Sequence, residues 1–308
     1  MDGLILINKK QGCTSHDVIV EIRKILHIRK IGHFGTLDPL ATGLMLVAVG
    51  KATRLFPYFS KADKLYNGQI RLGISTDTYD SMGKPISREK KELPEKSKIL
   101  EAIKEFEGAI DQIPPPYSAK KYRGKPLYTL ARKEKEFELR PSQVFIHFFK
   151  LRKYHPPLLD FEVKCSSGTY IRSLAQDLGQ ILGCGAHLST LTRIEVGSFK
   201  LSNALSLEEI KKFSGNGRTE HFLIPLEFLL PQFPKIILKE TCVPLVKNGN
   251  MVSNGDIVRA IHQDSSKNSS ISQEQETIFR LFSLDGKLIA LAKKIPDKNI
   301  LHPFLVIS

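Results

Sequence analysis

Residues 32–43 read G-H-F-G-T-L-D-P-L-A-T-G. One carboxylate, Asp38, sits in a short segment punctuated by Gly32, Gly35, Pro39 and Gly43, and the apolar run Leu44 to Val49 follows at once. Glycine permits tight or left-handed backbone, and proline fixes φ directly after the acid. Such a turn presents a carboxylate from a rigid edge, where solvent, ligand or a second charge can reach it. An Asp-Pro dipeptide alone is equally what an Asx-turn or a helix cap looks like. Other segments also carry candidate chemistry. Lys64-Leu65-Tyr66 opens a strand, where a tyrosine commonly fills core or interface. Ser167 to Arg172 leads into a helix, and an arginine in a first helical turn opposes the positive end of the dipole, which suggests an anionic partner close by. Tyr117-Ser118-Ala119, followed by Lys121, Gly124, Tyr128, Ala131 and Arg132, forms a basic and aromatic surface suited to RNA backbone and stacking. Leu191-Thr192-Arg193 follows the compact turn Gly183 to His187 and reads as a strand.

The elements that must position these groups are legible from periodicity. Leu4 to Ile7 is a short apolar strand. Thr14 or Ser15 caps a helix with Val18, Ile19, Ile22, Ile25 and Leu26 on one face. Leu44 to Val49 reads as a buried strand and Lys51 to Phe59 as a short helix. Ile70, Leu72 and Ile74 alternate, as do Leu159, Phe161, Val163 and Cys165, so both segments read as half-buried strands. Ile171, Leu174, Ala175, Leu178, Ile181 and Leu182 form a helical stripe stopped by Gly183. Strands and helices mix without regular β-α-β alternation, which predicts an α+β domain with a largely antiparallel sheet. The segment 112–140, with Pro114-Pro115-Pro116 and then many lysines and arginines, reads as an insertion, and 267–276 as a flexible polar loop. Near residue 232 the chain turns proline-rich. Short β-leaning stretches follow at Ile236 to Leu238, Ile257 to Ile261, Ile278 to Phe282 and Leu288 to Ala292. The expected domains are therefore 1–231 and a small β-rich module, 232–308.

Composition bounds the partners. The chain has 308 residues and a formal charge of +14, from 46 Lys plus Arg against 32 Asp plus Glu. That surplus favours a polyanion, nucleic acid first and an acidic membrane surface second. No run approaches the roughly 18 apolar residues of a membrane helix, and the start at Met1 lacks the basic and long apolar regions of a signal peptide. Cys13, Cys165, Cys184 and Cys242 are scattered without a C-x-x-C pair and read as free thiols in a reducing compartment. The histidines form no metal-binding pattern. A cytoplasmic protein without metal is the expectation.

Two other patterns are set aside. Gly43 to Thr53 resembles a phosphate-binding loop superficially, but its glycine spacing is too long, its interior is apolar, and Ala52 stands where a magnesium-binding hydroxyl belongs. Asp77 and Asp80, in T-D-T-Y-D, lack further acids at calcium-loop spacing and read as a polar loop with side-chain caps.

Taken together, residues 32–43, Lys64 to Tyr66, R-L-G-I-S-T-D-T-Y-D-S-M-G at 71–83, Q-I-P-P-P-Y-S-A at 112–119, Ser167 to Arg172 and Leu191 to Gly197 resemble the TruB family of tRNA pseudouridine synthases, in the family's own order. The similarity runs through roughly residues 3 to 200. Where the family motif usually has a small or β-branched residue, this chain has Phe34. The resemblance implies a pseudouridine synthase fold, an α+β architecture with a largely antiparallel mixed sheet flanked by helices, and a PUA-like β-rich C-terminal domain. It implies isomerisation of uridine 55 in the tRNA T loop to pseudouridine, without a cofactor or metal.

By the same resemblance Asp38 is the catalytic carboxylate. Whether it attacks the ribose, attacks the base or assists a glycal route stays open. Arg172 would be its cationic partner. Tyr66 would stack on the flipped uracil and is a candidate base, Tyr170 and Leu191 would line the pocket, and His33 would fill the space the base vacates. Lys64 and Lys121 are further substrate-binding candidates, and the basic insertion resembles the family's segment that closes over RNA. The expected partner is the T arm of tRNA, bound by a monomer that needs no protein partner and no membrane. Two rival readings share the basic surface: a non-catalytic tRNA-binding factor, and a guide-RNA-dependent synthase. A pure binder has no need of a carboxylate facing a polyanion, and no surface for accessory proteins is evident.

Overall fold

The computed structural model describes residues 1–117, 140–261, 277–296, 298 and 300–307, with the backbone alone at 121–122 and 125–126. The strands run in chain order β1 (Gly3–Lys9), β2 (Ile31–His33), β3 (Thr42–Val49), β4 (Lys64–Leu72), β5 (Gly108–Gln112), β6 (Lys121–Tyr122), β7 (Lys125–Pro126), β8 (Ser142–His155), β9 (Leu158–Cys165), β10 (Ala186–Val196), β11 (Phe199–Lys200) and β12 (Leu223–Pro225). They are followed by β13 (Lys235–Leu238), β14 (Val252–Ser253), β15 (Ile257–Ile261), β16 (Ile278–Phe282), β17 (Leu288–Lys294) and β18 (Ile300–Val306).

The larger sheet has the order β12-β1-β3-β10-β4-β9-β8-β5, with β2 beside β3 and β11 beside β10. All its pairings are antiparallel except β10 with β3, where Thr192 and Arg193 face Thr42 and Gly43 in parallel. This is the largely antiparallel mixed sheet expected. The second sheet, β14-β18-β17-β16-β13-β15, forms a β-rich C-terminal body that begins at Lys235.

Burial explains the two kinds of strand pattern. In β1 and β3 both faces are covered, so their sequences are nearly continuous apolar runs. Ile5, Ile7, Met45, Val47 and Val49 face a core shared with helix Ser15–Leu26. Leu4, Leu6, Leu44, Leu46 and Ala48 face the other way, onto Leu226, Leu229 and Leu230 and onto Phe282, Leu288, Leu291 and Ile307 of the C-terminal sheet. Each of these side chains larger than alanine contributes about 1.5–3 kcal/mol when fully buried. The C-terminal body is thus fastened to the larger sheet by a common core. In β9, by contrast, buried and partly exposed positions alternate strictly.

Phe34 belongs to that shared core. It is 2% exposed and stacks on Phe59 with ring centres 5.2 Å apart and planes 9° from parallel, while Phe56 meets its edge at 6.0 Å. The larger residue is accommodated because these two phenylalanines line its slot.

Helix Ser15–Leu26 starts at the N-cap Thr14 with a reciprocal capping box to Asp17. The expected helix at Lys51 to Phe59 is a 3-10 turn, Gly50–Leu55, continuing into one α-turn, Phe56–Phe59. Pro57 is tolerated there because the first turn has no hydrogen bond to lose. Several elements carried too weak a periodic signal to be read: β5, the long β8, the terminal β18 and the helices Lys96–Lys104 and Leu207–Gly215. Most of the expected insertion, with the Lys121, Tyr128 and Arg132 side chains, and the loop at 267–276 lie outside the described residues.

Candidate active site

Helix Ser15–Leu26, the turn before it and helix Ile171–Ile181 converge on the segment carrying Asp38. Ser15, at the start of its helix, clamps the residue before the acid: its hydroxyl donates to the Leu37 carbonyl (3.0 Å) and accepts from the Leu37 amide (2.8 Å). The Gly12 amide donates to the Pro39 carbonyl at 2.9 Å, and the Ala41 amide closes the turn onto the Asp38 carbonyl at 3.1 Å. The carboxylate therefore stands on a loop whose backbone is fixed on both sides.

Helix Ile171–Ile181 supplies its partner. Arg172 Nε donates to Asp38 Oδ2 at 2.8 Å and Nη2 to Oδ1 at 3.2 Å, a two-pronged ion pair. The guanidinium side chain is 5% exposed and the carboxylate 37%, so the pair is buried on the arginine side and open on the acid side. The remaining donors are also used. Nη1 donates to the Thr78 carbonyl and Nη2 also to the Tyr117 carbonyl, both at 3.0 Å, and Asp80 Oδ2 lies 3.7 Å from Nη1. The arginine that opposes its helix dipole is held by two carboxylates.

Asp80 does cap its own loop, accepting from Thr78 Oγ1 at 2.6 Å and from the Met82 amide at 3.0 Å. Its second oxygen faces Arg172, a role the local pattern T-D-T-Y-D gave no sign of. Gln112 is another residue missed. Its buried side chain makes two hydrogen bonds to the backbone of Tyr170, accepting from the amide at 2.7 Å and donating to the carbonyl at 3.0 Å. Ser173 Oγ donates to the Ile113 carbonyl at 2.8 Å. The start of the proline-rich segment is thereby fastened to the first turn of the arginine's helix.

Asp38, Lys64, Tyr66, Tyr170, Arg172 and Leu191 line one cavity of about 360 Å³, together with Gly35, Ser60, Thr169 and Arg193. That volume lies in the range that accepts small organic groups. His33 is not on this wall. It ends β2, its Nδ1 is buried without a hydrogen-bond partner among the described residues, and burial, aided by the Arg193 charge, lowers its pKa.

Burial shifts two groups of the pocket, Tyr66 and Lys64. Burial raises the Tyr66 phenol, with the nearby Arg193 guanidinium opposing, so the hydroxyl stays protonated at neutral pH. A phenol held this way stacks and hydrogen-bonds more readily than it acts as a base. Lys64, 6% exposed, donates to the Ser60 carbonyl at 3.0 Å, and burial followed by repulsion from Arg193 lowers its pKa to about 8. Among the described residues no cluster of His, Cys, Asp and Glu could hold a metal, and no helix is long and apolar enough to cross a membrane.

The arrangement is a small polar cavity with an open carboxylate, the Arg172 guanidinium fixed against it, and tyrosine side chains in its walls. Residues 23–171 match the N-terminal domain of the TruB family pseudouridylate synthases, and residues 172–231 match the tRNA pseudouridylate synthase B C-terminal domain. The chain belongs to the TruB family. A tRNA pseudouridine synthase B from Solibacter usitatus (strain Ellin6076) is 38% identical over 99% of this chain and 100% of its own length. One from Bacillus pumilus (strain SAFR-032) is 34% identical over 100% and 98%. Among solved structures, a chain of an H/ACA RNP bound to a substrate RNA containing 2'-deoxyuridine superposes with a TM-score of 0.72 at 25% identity, covering 99% of this chain and 85% of its own. The two matched segments meet at 171/172, within one sheet-and-helix body, so the Asp38–Arg172 pair joins them.

Proposed function

We propose that this chain converts uridine 55 in the T loop of tRNA to pseudouridine, with Asp38 as the catalytic carboxylate. The enzyme is a TruB-family tRNA pseudouridine synthase, an isomerase. The observation that carries the assignment of the site is the Asp38–Arg172 pair, open on the acid side to the cavity that Tyr66 walls.

Isomerisation requires the C1′–N1 bond to break, a C1′–C5 bond to form, and a proton to leave C5 while N1 gains one. No electrons are exchanged with an outside donor. The target base is stacked in a folded loop, so it must first be extruded, at a cost of about a few kcal/mol. In this reading Arg172 holds the Asp38 carboxylate in place at the pocket wall, Tyr66 stacks on the uracil, and Tyr170 and Leu191 complete the walls. His33 occupies the space the base leaves, and Lys64 and Lys121 contact the nucleotide and its backbone.

The partner is tRNA, recognised in the cytoplasm by a monomer acting alone. Supporting this is the full-length correspondence with bacterial tRNA pseudouridine synthase B proteins at 34–38% identity, against 25–27% for chains from Cbf5 and H/ACA assemblies. Mapping pseudouridine by carbodiimide adducts and primer extension on transcribed tRNA tests the assignment. A single enzyme-dependent stop at position 55 is expected. Stops elsewhere alone, or a requirement for added guide RNA, would contradict it.

A further inference from the structure

Arg193 is 1% exposed, yet it forms no ion pair among the described residues. A buried cation without a counter-charge is costly, so its bonds to neutral groups must be many and well placed. Nε donates to the Leu44 carbonyl at 2.7 Å, Nη1 to the Thr36 carbonyl at 3.2 Å and Nη2 to the Gly35 carbonyl at 3.2 Å. These carbonyls lie on both sides of Asp38 in the chain. Its backbone, in β10, pairs with Gly43 of β3 on one side and with Tyr66 of β4 on the other. The β10–β4 register shifts between Arg193 and Glu195, a bulge of the kind that re-aims a side chain.

Arg193 leaves no room for a side chain at Gly43 of the Asp38 motif, and Gly35 supplies the positive φ that brings its own carbonyl to the guanidinium. A Cβ on Gly43, where φ is +98°, would come within 2.4 Å of the Arg193 carbonyl oxygen. Gly35, at φ +128°, turns the loop so that its carbonyl meets Nη2, and a Cβ there would sit 3.5 Å from Nη1. Asp38 and Tyr66 come from segments that do not pair with each other, and Arg193 touches both segments.

We propose that Arg193 is a positioning residue for the isomerisation: its guanidinium fork fixes the loop that carries Asp38 against the strand that carries Tyr66. The proposal rests on the functional reading above and adds a residue that lines the same cavity but is no member of the Asp38–Arg172 ion pair. A planar fork is needed because three carbonyls must be held at once; an ammonium or a carboxamide reaches fewer of them.

The test compares wild type, Arg193→Lys and Arg193→Gln in three measurements: single-turnover pseudouridine formation, tRNA affinity and thermal melting. Expected are cooperative melting, tRNA affinity within about threefold of wild type, and turnover reduced about 100-fold, as for small misplacements of reacting groups. Wild-type turnover in either folded variant, or equal losses in turnover and affinity, would overturn the proposal. If Arg193→Gln does not fold, Arg193→Lys decides by the same criteria; if neither folds, Arg193 is a stability residue and the proposal is wrong. Failure of the wild type itself to form pseudouridine would instead remove the functional reading, and this inference with it.

Discussion

Arg172 Nε and Nη2 grip the two carboxylate oxygens of Asp38 at 2.8 and 3.2 Å, joining positions 134 residues apart. The same guanidinium bonds to the carbonyls of Thr78 and Tyr117 and faces Asp80. One side chain thus ties together the motif loop, the T-D-T-Y-D loop, the start of the proline-rich segment and a helix N-terminus. Its geometry, more than its charge, sets where the open carboxylate points.

Arg172→Lys keeps a cation but cannot hold two oxygens and two carbonyls in one plane. Turnover is expected to fall about 100-fold, with tRNA affinity nearly unchanged. Rapid-quench turnover and filter binding on one preparation check the split; equal losses would mean that Arg172 serves RNA binding instead.

Asp80→Asn retains an acceptor for Thr78 and Met82 but removes the second negative charge beside Arg172. The distance of 3.7 Å makes this a weaker restraint than the Asp38 bonds. A turnover loss of about tenfold, smaller than for Arg172→Lys, is expected in the same assay.

Much of this was legible in the sequence because it rests on local pattern. The apolar runs and alternations at Leu4 to Ile7, Leu44 to Val49 and Leu159 to Cys165 correspond to β1, β3 and β9. Arg172 in a first helical turn pointed to an anion, and the anion is Asp38. What was not legible depends on long-range approach. Asp80 looks like a loop cap because it is one, and nothing nearby in sequence announces Arg172. Gln112 reads only as the start of the proline-rich insertion, and nothing nearby in sequence announces its bonds to Tyr170. Arg193 sits in a plain strand, and its signal lay instead in the glycines at 35 and 43. Leu44 to Val49 read as a buried strand, but part of the second layer that buries it belongs to the C-terminal sheet, some two hundred residues later.

Lys64 gives a pH-dependent signature. Its pKa falls from 10.5 in the unfolded chain to about 8 in the fold, so below pH 8 it is charged in both states and the burial penalty is fully present. Between 8 and 10.5 the unfolded chain binds more protons, and stability rises with pH. Lys64→Met should therefore be more stable than wild type at pH 7, by up to about 3 kcal/mol. That advantage should disappear as pH rises past 10.5. Urea unfolding at several pH values measures it, and a pH-independent difference would mean that the ammonium is not desolvated.

Phe34→Ala empties the slot between Phe56 and Phe59 in the core that joins the two sheets. A loss of about 3–5 kcal/mol in folding stability is expected, the usual cost of removing a buried phenylalanine. Chemical denaturation followed by circular dichroism reads it; a loss below 1 kcal/mol, well under the usual range, would show that the shared core is loosely packed.

The most direct test of the central claim is tritium release from transcribed tRNA carrying 5-tritiated uridine. It compares wild type with Asp38→Asn, and intact tRNA with tRNA in which uridine 55 is replaced by cytidine. About one equivalent of tritium released per tRNA is expected from the wild type, because rejoining at C5 expels one proton there. None is expected from Asp38→Asn and none from the cytidine control, with tRNA still bound by the variant. Undiminished release by Asp38→Asn, or release from the cytidine control, would contradict that claim.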